Sequence, residues 1–406
     1  MGVHVNELLE GLGRRIRLGM VGGGADSVIG ETHRIAFRAD GLFELTAGAM
    51  SIDPEIAVAT ARAELLDTDR THTDYREMAA AEAQRDDGID AVVIATPPQT
   101  HLDIARVFLA AGIDVICEKP MTRDAQEAEL LVSEVERSDR LFVLTHCYTG
   151  YPMVRHAREL VRAGAIGAVR VVEAEFAGGG FAREPADASR RHWRFRRESM
   201  GPAVILGEVG SHAHNIIEYV TDSRVRSVSA RLDTIAQRRE VYDNAYLTVE
   251  FDSGAVGRIW SSYVAVGSEH GLSFRIFGDE GSLVWRQEEP EFLWHQQFGG
   301  PVVRLSRGME SLSAASLRSS RVPPGHPEGY LLAFANLYRD YARAFVARHR
   351  GDRVDDALEL VPGARDGLAT MRMIDAAAEA ANTGSTVTLA DPDGPIPITP
   401  LTGSKS

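Results

Sequence analysis

A chain of 406 residues, 44% hydrophobic and 25% charged, is long enough for two domains with separate cores. Its formal net charge of -14 argues against a nucleic-acid partner, and no apolar run approaches the roughly 20 residues of a membrane-spanning helix. Cys117 and Cys147 form neither a disulfide framework nor a zinc site, and the first residues lack a signal-peptide pattern, so the expected setting is the cytoplasm.

The first half alternates strands and helices. Ile16–Val21 is a short apolar strand running into Gly22-Gly23-Gly24, followed by a helix from Ser27 to Ala39. A strand over Leu42–Met50, helices over Asp53–Leu66 and Asp74–Arg85, and the unbroken apolar strand Ala91–Ala95 come next. A helix from His101 to Ala111, a strand over Asp114–Cys117, a helix over Arg123–Ser138 and a strand over Leu141–His146 complete the series. Strands apolar on both faces between amphipathic helices predict a doubly wound parallel sheet over residues 1–150.

The second half, residues 151–390, predicts an α+β domain with a large, mostly antiparallel open sheet. Strands are expected over Val169–Phe176, Val225–Leu232, Ala245–Phe251, Ala255–Ser262, Leu272–Phe277 and Ser282–Trp285, interrupted by a helix over Ala203–Val220. Hairpin signals stand at Phe251–Ala255 and Gly278–Gly281. Gly299–Pro324 reads as a long loop, helices over Gly329–Arg348 and Val361–Asn382 follow, and residues 391–406 read as a flexible tail.

Gly22-x-Gly24 between a strand and a helix lets backbone amides and a helix N-terminus receive a pyrophosphate. Gly22, Gly23, Gly24 and Ser27 are therefore expected at a dinucleotide, although Ser27 occupies the third-glycine position and Gly30 comes three residues later. Ser51, at the end of the second strand, stands where an acid would read the NAD ribose, and Asp53 suits the cap of the next helix. NAD is the expected cofactor, with NADP not excluded. Thr96-Pro97 and Glu118-Lys119-Pro120 both follow strands at their carboxyl ends, where the ligand crevice of such a sheet lies. A cis Lys119–Pro120 bond suits that turn. Only two of the 44 basic residues are lysines, Lys119 and Lys405. Arginine keeps its proton in proteins, whereas a lysine can be tuned into working range. A lysine retained among so many arginines points to chemistry at Lys119.

With these pieces in place, the chain resembles the glucose-fructose oxidoreductase, inositol dehydrogenase and rhizopine-catabolism (Gfo/Idh/MocA) family from about Arg15 to Asn382. The carriers are Gly22-Gly23-Gly24, Ala95-Thr96-Pro97, Glu118-Lys119-Pro120 and the segment from Gly207 to Asn215 with its Gly-x-His. The resemblance implies a nicotinamide-dependent enzyme moving a hydride on a sugar or cyclitol, with Lys119, His212 and Glu208 around the reacting carbon. It also implies a homo-oligomer, a dimer or tetramer. Glu208 stands at a position that is usually Asp, and Asn215 where many members have Asp. A base must take the hydroxyl proton, and His212 has an unperturbed side-chain pKa in the right range, with Lys119 polarising the oxygen or relaying the proton. On a continuous helix, Glu208, His212 and Asn215 share one face.

Substrate contacts are expected from Tyr148, Asn215, Trp193 and Arg194. The last two lie in Ser189–Arg197, an arginine-rich run whose forked donors suit an anionic ligand but which reads first as a solvated or intersubunit loop. His326 and Tyr330 carry a weaker claim to the site. Some relatives look like redox-neutral glycosidases, which leaves an NAD-dependent hydrolase of an anionic glycoside, such as a sulfoquinovoside, as the alternative to a plain dehydrogenase. No metal is expected.

Overall fold

The computed structural model describes residues 8–185, 187, 195 and 203–394. Five strands, β1 (Ile16–Gly22), β2 (Phe43–Ala49), β3 (Ala91–Ala95), β4 (Asp114–Cys117) and β5 (Phe142–Leu144), form a parallel sheet in the order β2-β1-β3-β4-β5. Every residue of β3 is buried, as a strand covered on both faces requires. The covering helices are α1 (Val28–Arg38), α2 (Pro54–Ala63), α3 (Tyr75–Glu82), α4 (His101–Ala110) and α5 (Ala125–Ser138). Strand order reverses between β1 and β3, which opens a crevice at their carboxyl ends.

Helix α6 (Pro152–Arg162) leads into a nine-stranded sheet. Its strands are β6 (Val169–Ala177), β7 (Val225–Asp233), β8 (Asn244–Phe251), β9 (Val256–Ser262), β10 (Gly271–Gly278), β11 (Gly281–Arg286), β12 (Phe292–Gln297), β13 (Val302–Ser306) and β14 (Val387–Thr388). They lie in the order β13-β12-β11-β10-β6-β9-β8-β7-β14, antiparallel throughout except for the parallel pair β6–β9. Burial alternates along β8, where Ala245, Leu247 and Val249 face the core and Tyr246 and Thr248 face out. Behind the buried face lie α6 and α7 (Ser211–Thr221), and α8 (Ala314–Arg318), α9 (Tyr330–Arg350), α10 (Asp355–Leu358) and α11 (Ala364–Thr383) follow.

Two of these late helices return to the first domain. Tyr338 of α9 packs its ring edge against Phe37 and Phe43. Asp40 receives Arg321 at 2.6 Å and Arg339 at 2.7 Å. Asp114, fully buried on β4, accepts the Tyr341 hydroxyl at 2.9 Å and both arms of Arg348 at 2.7 and 2.9 Å. Helix α11 packs on α5 and on β7, so it bridges the two sheets.

Several elements differ from expectation. Helix α6 was not anticipated, because Arg155, His156 and Arg158 are buried and disguise its apolar face. Arg155 is matched internally by Asp340 at 2.6 Å. The expected loop over Gly299–Pro324 contains β13 and α8, and β12 precedes it. Val302 and Val303 are exposed on an edge strand, so no inside-outside alternation marks them. The helix expected over Ala203–Val220 is present from Val204 but is interrupted by a π turn, Leu206–Gly210. Within the tail expected from residue 391, residues 392–394 are tied to the body: Arg365 donates to the carbonyls of Pro392 and Gly394, and Arg224 pairs with Asp393 at 3.1 Å. Residues 395–406 lie outside the described residues.

Candidate active site

The glycine loop follows β1. Gly22 and Gly23 adopt φ +74° and +71°, the left-handed region where a Cβ is strained. A Cβ on Gly22 would lie 2.7 Å from the Ala95 carbonyl oxygen, and one on Gly24 would lie 3.1 Å from that of Met50. The close approach of β3 and of the end of β2 thus excludes side chains from Gly22 and Gly24, and the glycine backbone after β1 is of the kind that fits a dinucleotide. The carbonyl of Gly23 also accepts a hydrogen bond from buried Arg34, which Glu64 holds at 2.7 Å. Ser27 caps α1, its hydroxyl accepting from the Gly30 amide at 3.2 Å. Gly30 takes the close-packing role of the third glycine, since a Cβ there would sit 2.3 Å from the Gly23 carbonyl oxygen.

At the end of β2, the Ser51 hydroxyl accepts from the Asp53 amide at 3.1 Å. Asp53 caps α2, as expected, accepting from the amide of Glu55 at 2.9 Å. Thr96 and exposed Pro97 end β3, and the Thr100 hydroxyl bonds the Thr96 hydroxyl and the Pro97 carbonyl, each at 2.8 Å.

Lys119 follows β4, and the Lys119–Pro120 peptide is cis. Its ammonium donates to the Glu208 carbonyl at 3.2 Å and lies 3.7 Å from the Glu208 carboxylate. A π turn carries more residues per turn than an α-helix, so Glu208 leaves the one-face register while His212 and Asn215 keep theirs on α7. Asn215 is buried, and its amide has no hydrogen-bond partner among the described residues. His212 is buried with its Nδ1 3.5 Å from Nδ1 of His146, which lies just beyond β5. Tyr148 stands edge-on to His212 at 4.7 Å between ring centroids, and Tyr330 approaches Tyr148 at 6.2 Å. His326 bonds through its backbone, its carbonyl accepting from Arg307 at 2.5 Å and its amide donating to the Pro323 carbonyl at 3.3 Å.

Burial, then the Lys119 charge and His146, push His212 well below the ordinary histidine range. Burial, then Lys119 and His214, push His146 down to about 3. Both imidazoles are therefore neutral at pH 7, beside one ammonium. Burial pushes the Tyr148 phenol well up, so it stays protonated. His214, also on α7, is core: it contacts Glu218 and Thr370, each at 3.2 Å.

Glu118 was expected at the cofactor, but its carboxylate points into the protein. It accepts from the Lys119 amide at 3.1 Å and the Thr145 hydroxyl at 2.5 Å, and it faces His33 at 3.2 Å. Burial opposes its charge, yet the bond from His33 and the charges of His33 and Lys119 hold the carboxyl below its usual range. These contacts make Glu118 a support beneath Lys119. Trp193 and Arg194 lie outside the described residues. Phe195 of the same run is buried between Phe181 and Tyr263, with the Arg239 guanidinium 4.1 Å over its ring.

Sequence reasoning missed His146 and His101. His101 opens α4, with Nε2 2.7 Å from the Thr96 carbonyl and Nδ1 3.1 Å from that of Pro120. The available signal was position: both follow parallel strands at the carboxyl end, as Lys119 does. Among the described residues, no group of His, Cys, Asp or Glu is placed to hold a metal ion, and no helix is long and apolar enough to cross a membrane.

Residues 16–146 match the model of the oxidoreductase family with an NAD-binding Rossmann fold, and residues 154–284 match the GFO/IDH/MocA C-terminal domain. The uncharacterized oxidoreductase YfiI of Bacillus subtilis is 31% identical over 92% of this chain and 96% of its own length. The chain belongs to the Gfo/Idh/MocA family. Among solved members, an oxidoreductase from Sinorhizobium meliloti is 41% identical with a TM-score of 0.82, over 92% of this chain and 99% of that one. An inositol dehydrogenase homolog from Azotobacter vinelandii, complexed with NADH and myo-inositol, is 36% identical with a TM-score of 0.83, over 92% and 98%. The protein is thus an NAD-binding oxidoreductase by family, with the fold that its sequence predicted.

Proposed function

We propose that this chain oxidises a secondary hydroxyl of a cyclitol or sugar, with NAD as hydride acceptor. The observation that carries the reading is the convergence of Lys119, Glu208 and His212 on one buried cluster beside the crevice of the parallel sheet. Bound over the loop Gly22–Gly24, the nicotinamide coenzyme supplies a two-electron acceptor. The chain's own residues handle the oxygen and its proton. The Lys119 ammonium, held by Glu208, polarises the hydroxyl oxygen. Neutral His212 takes the proton as base. Tyr148 and Asn215 line the substrate side. NAD is preferred to NADP because no Arg or Lys stands between Arg38 and Arg62, while Asp53 and Glu55 follow β2 and repel a 2'-phosphate.

The Azotobacter relative makes myo-inositol the first substrate to try. The hydrolase alternative rested on a likeness to redox-neutral glycosidases, with the arginine run at 189–197 steering it toward an anionic glycoside; the relatives named above are oxidoreductases and inositol dehydrogenase homologues and give it no support. The homo-oligomer expectation finds support in the open sheet face, where exposed Tyr246 stacks on Trp260 at 6.1 Å. The test offers the purified protein NAD or NADP with inositols, aldoses, uronic acids and p-nitrophenyl glycosides, following nicotinamide absorbance and nitrophenolate together. Reduction of NAD in step with a polyol supports the reading. Nitrophenolate release that requires NAD and accumulates no NADH overturns it.

A further inference from the structure

His146 is unused by the reading above, yet it touches the proposed base. Its ring stands perpendicular to that of His212, at 86°, with 3.5 Å between the two Nδ1 atoms. Among the described residues this is the only hydrogen bond that the His212 ring makes. Two such nitrogens share one proton, so one ring donates and the other accepts. A histidine that takes a proton at Nε2 must carry its own proton on Nδ1, and the partner of Nδ1 decides whether it does.

We propose that His146 is the positioning residue that sets the His212 tautomer, its Nδ1 accepting from the His212 Nδ1–H so that the Nε2 lone pair is left for the substrate hydroxyl. The inference rests on the reading of His212 as base. Only a neutral imidazole offers an acceptor nitrogen, and His146 lies in surroundings that keep it neutral. It is 1% exposed, and the charged or titratable groups facing it are Lys119 and Glu118 after β4, His212 and His214 on α7, and adjacent Cys147. Its backbone is fixed, since its carbonyl accepts from the Thr149 amide at 3.2 Å and hydroxyl at 3.0 Å. An acidic residue is the common orienter of such a histidine. Here the acidic neighbour, Glu208, directs its carboxylate to Lys119, and the orienting contact comes from the next strand end.

The arrangement leaves the buried His146 Nε2 with a proton and no hydrogen-bond partner among the described residues. The opposite arrangement, with His146 donating, relieves that atom but puts a proton on His212 Nε2. A ring so protonated can donate to a ketone oxygen, yet cannot take a proton there. The two arrangements therefore differ in a directly observable way.

The full-length protein, labelled with nitrogen-15 in histidine, is compared with H146L and H146N, and the His212 signals are assigned by difference from H212Q. Two-bond proton–nitrogen spectra of the free protein at pH 7 should show His212 as the Nδ1–H tautomer. In H146L that tautomer should be lost, and in H146N the amide oxygen should restore it. With NAD and an accepted polyol, H146L should lower kcat by about tenfold to a hundredfold with KM within about twofold, and H146N should recover most of the loss. A wild-type His212 protonated on Nε2, or an H146L enzyme within about twofold of wild-type kcat, overturns the proposal. A wild-type protein that oxidises nothing on the panel counts against the dehydrogenase reading. The tautomer spectrum, which needs no substrate, still decides the role of His146.

Discussion

Replacing Gly30 by Ala tests whether α1 must press on the glycine loop for the cofactor to bind. In an ordinary helix interior the change stabilises by about 1 kcal/mol, through the lower backbone entropy of alanine. Here the added Cβ would sit 2.3 Å from the Gly23 carbonyl oxygen and 2.5 Å from its Cα, both backbone atoms that no rotamer change can move away. Ordinary contact needs about 3.5 Å or more, so the helix and loop must part by about 1 Å, at an overpacking cost of about 1–3 kcal/mol. The net destabilisation is then about 0–2 kcal/mol. The larger effect falls on affinity, because the displaced peptide belongs to the loop proposed to receive the pyrophosphate. One misplaced amide contact at about 1.4 kcal/mol is tenfold in Kd, so NADH should bind G30A at least tenfold more weakly. Fluorescence titration of NADH and a thermal melt measure the two effects. G180A is the control, since a Cβ at Gly180 meets nothing within 4 Å. A G30A protein with wild-type NADH affinity would refute the reasoning.

Three further outcomes follow from the geometry. Lys119→Met should cut kcat by about 10²–10⁴ while leaving NADH affinity within about threefold, as measured by steady-state kinetics beside direct titration; an unaltered kcat removes Lys119 from the chemistry. His146, near 3 when folded and about 6.5 when unfolded, binds protons better in the unfolded chain. Its contribution to stability is therefore complete above about pH 6.5 and declines as pH falls, by about 2 kcal/mol at pH 5. Denaturant unfolding at pH 7 and pH 5 should show a loss smaller by about that amount in H146L than in wild type, and equal losses contradict it. Arg348→Ala leaves the Asp114 carboxylate buried without its cation. The loss should be about 2–4 kcal/mol, tempered because the Arg348 side chain is 27% exposed, and it reads directly from denaturant midpoints.

The parts legible in the sequence are those whose chemistry forbids other residues. Gly22 and Gly23 need positive φ, Lys119 stands out among arginines, and β3 is apolar without interruption because both its faces are covered. Asp53 was readable as a cap because a short carboxylate before Pro54 has that local use. The illegible parts depend on partners distant in sequence. Arg155 and Arg158 look like surface residues until Asp340 and the Glu359 carbonyl come up against them, and with that α6 disappears as an amphipathic pattern. Glu118 reads as a cofactor residue because it follows a strand at its carboxyl end, yet its carboxylate faces His33 and Thr145, 85 residues before it and 27 after it in the chain. The π turn at Leu206–Gly210 has no periodicity signature, so the register of Glu208 was readable only in three dimensions.

That dependence on distant partners explains how a site split between two sheets is kept in one geometry. The proposed cofactor side ends at Thr96 and the reacting side at Lys119, on neighbouring strands whose turns are free to drift separately. His101 joins them: one ring nitrogen reaches the Thr96 carbonyl and the other the Pro120 carbonyl, and burial, the largest influence on the ring, lowers its pKa. A neutral ring has one N–H, so only one of these carbonyls receives a full hydrogen bond at a time, while the ring fills the space between them. From Lys119 the linkage passes to the π turn through the Glu208 carbonyl, which an uninterrupted α-helix would keep for its own ladder. The widened turn thus turns a backbone carbonyl of the second domain toward the lysine of the first, and α7 continues directly from it to His212. Hydride transfer requires donor and acceptor carbons to meet within a fraction of an ångström of a productive distance. For the proposed reaction, the contacts from Thr96 through His101 and Pro120 to Lys119, and from Lys119 through Glu208 to α7, serve that requirement without relying on the longer loops.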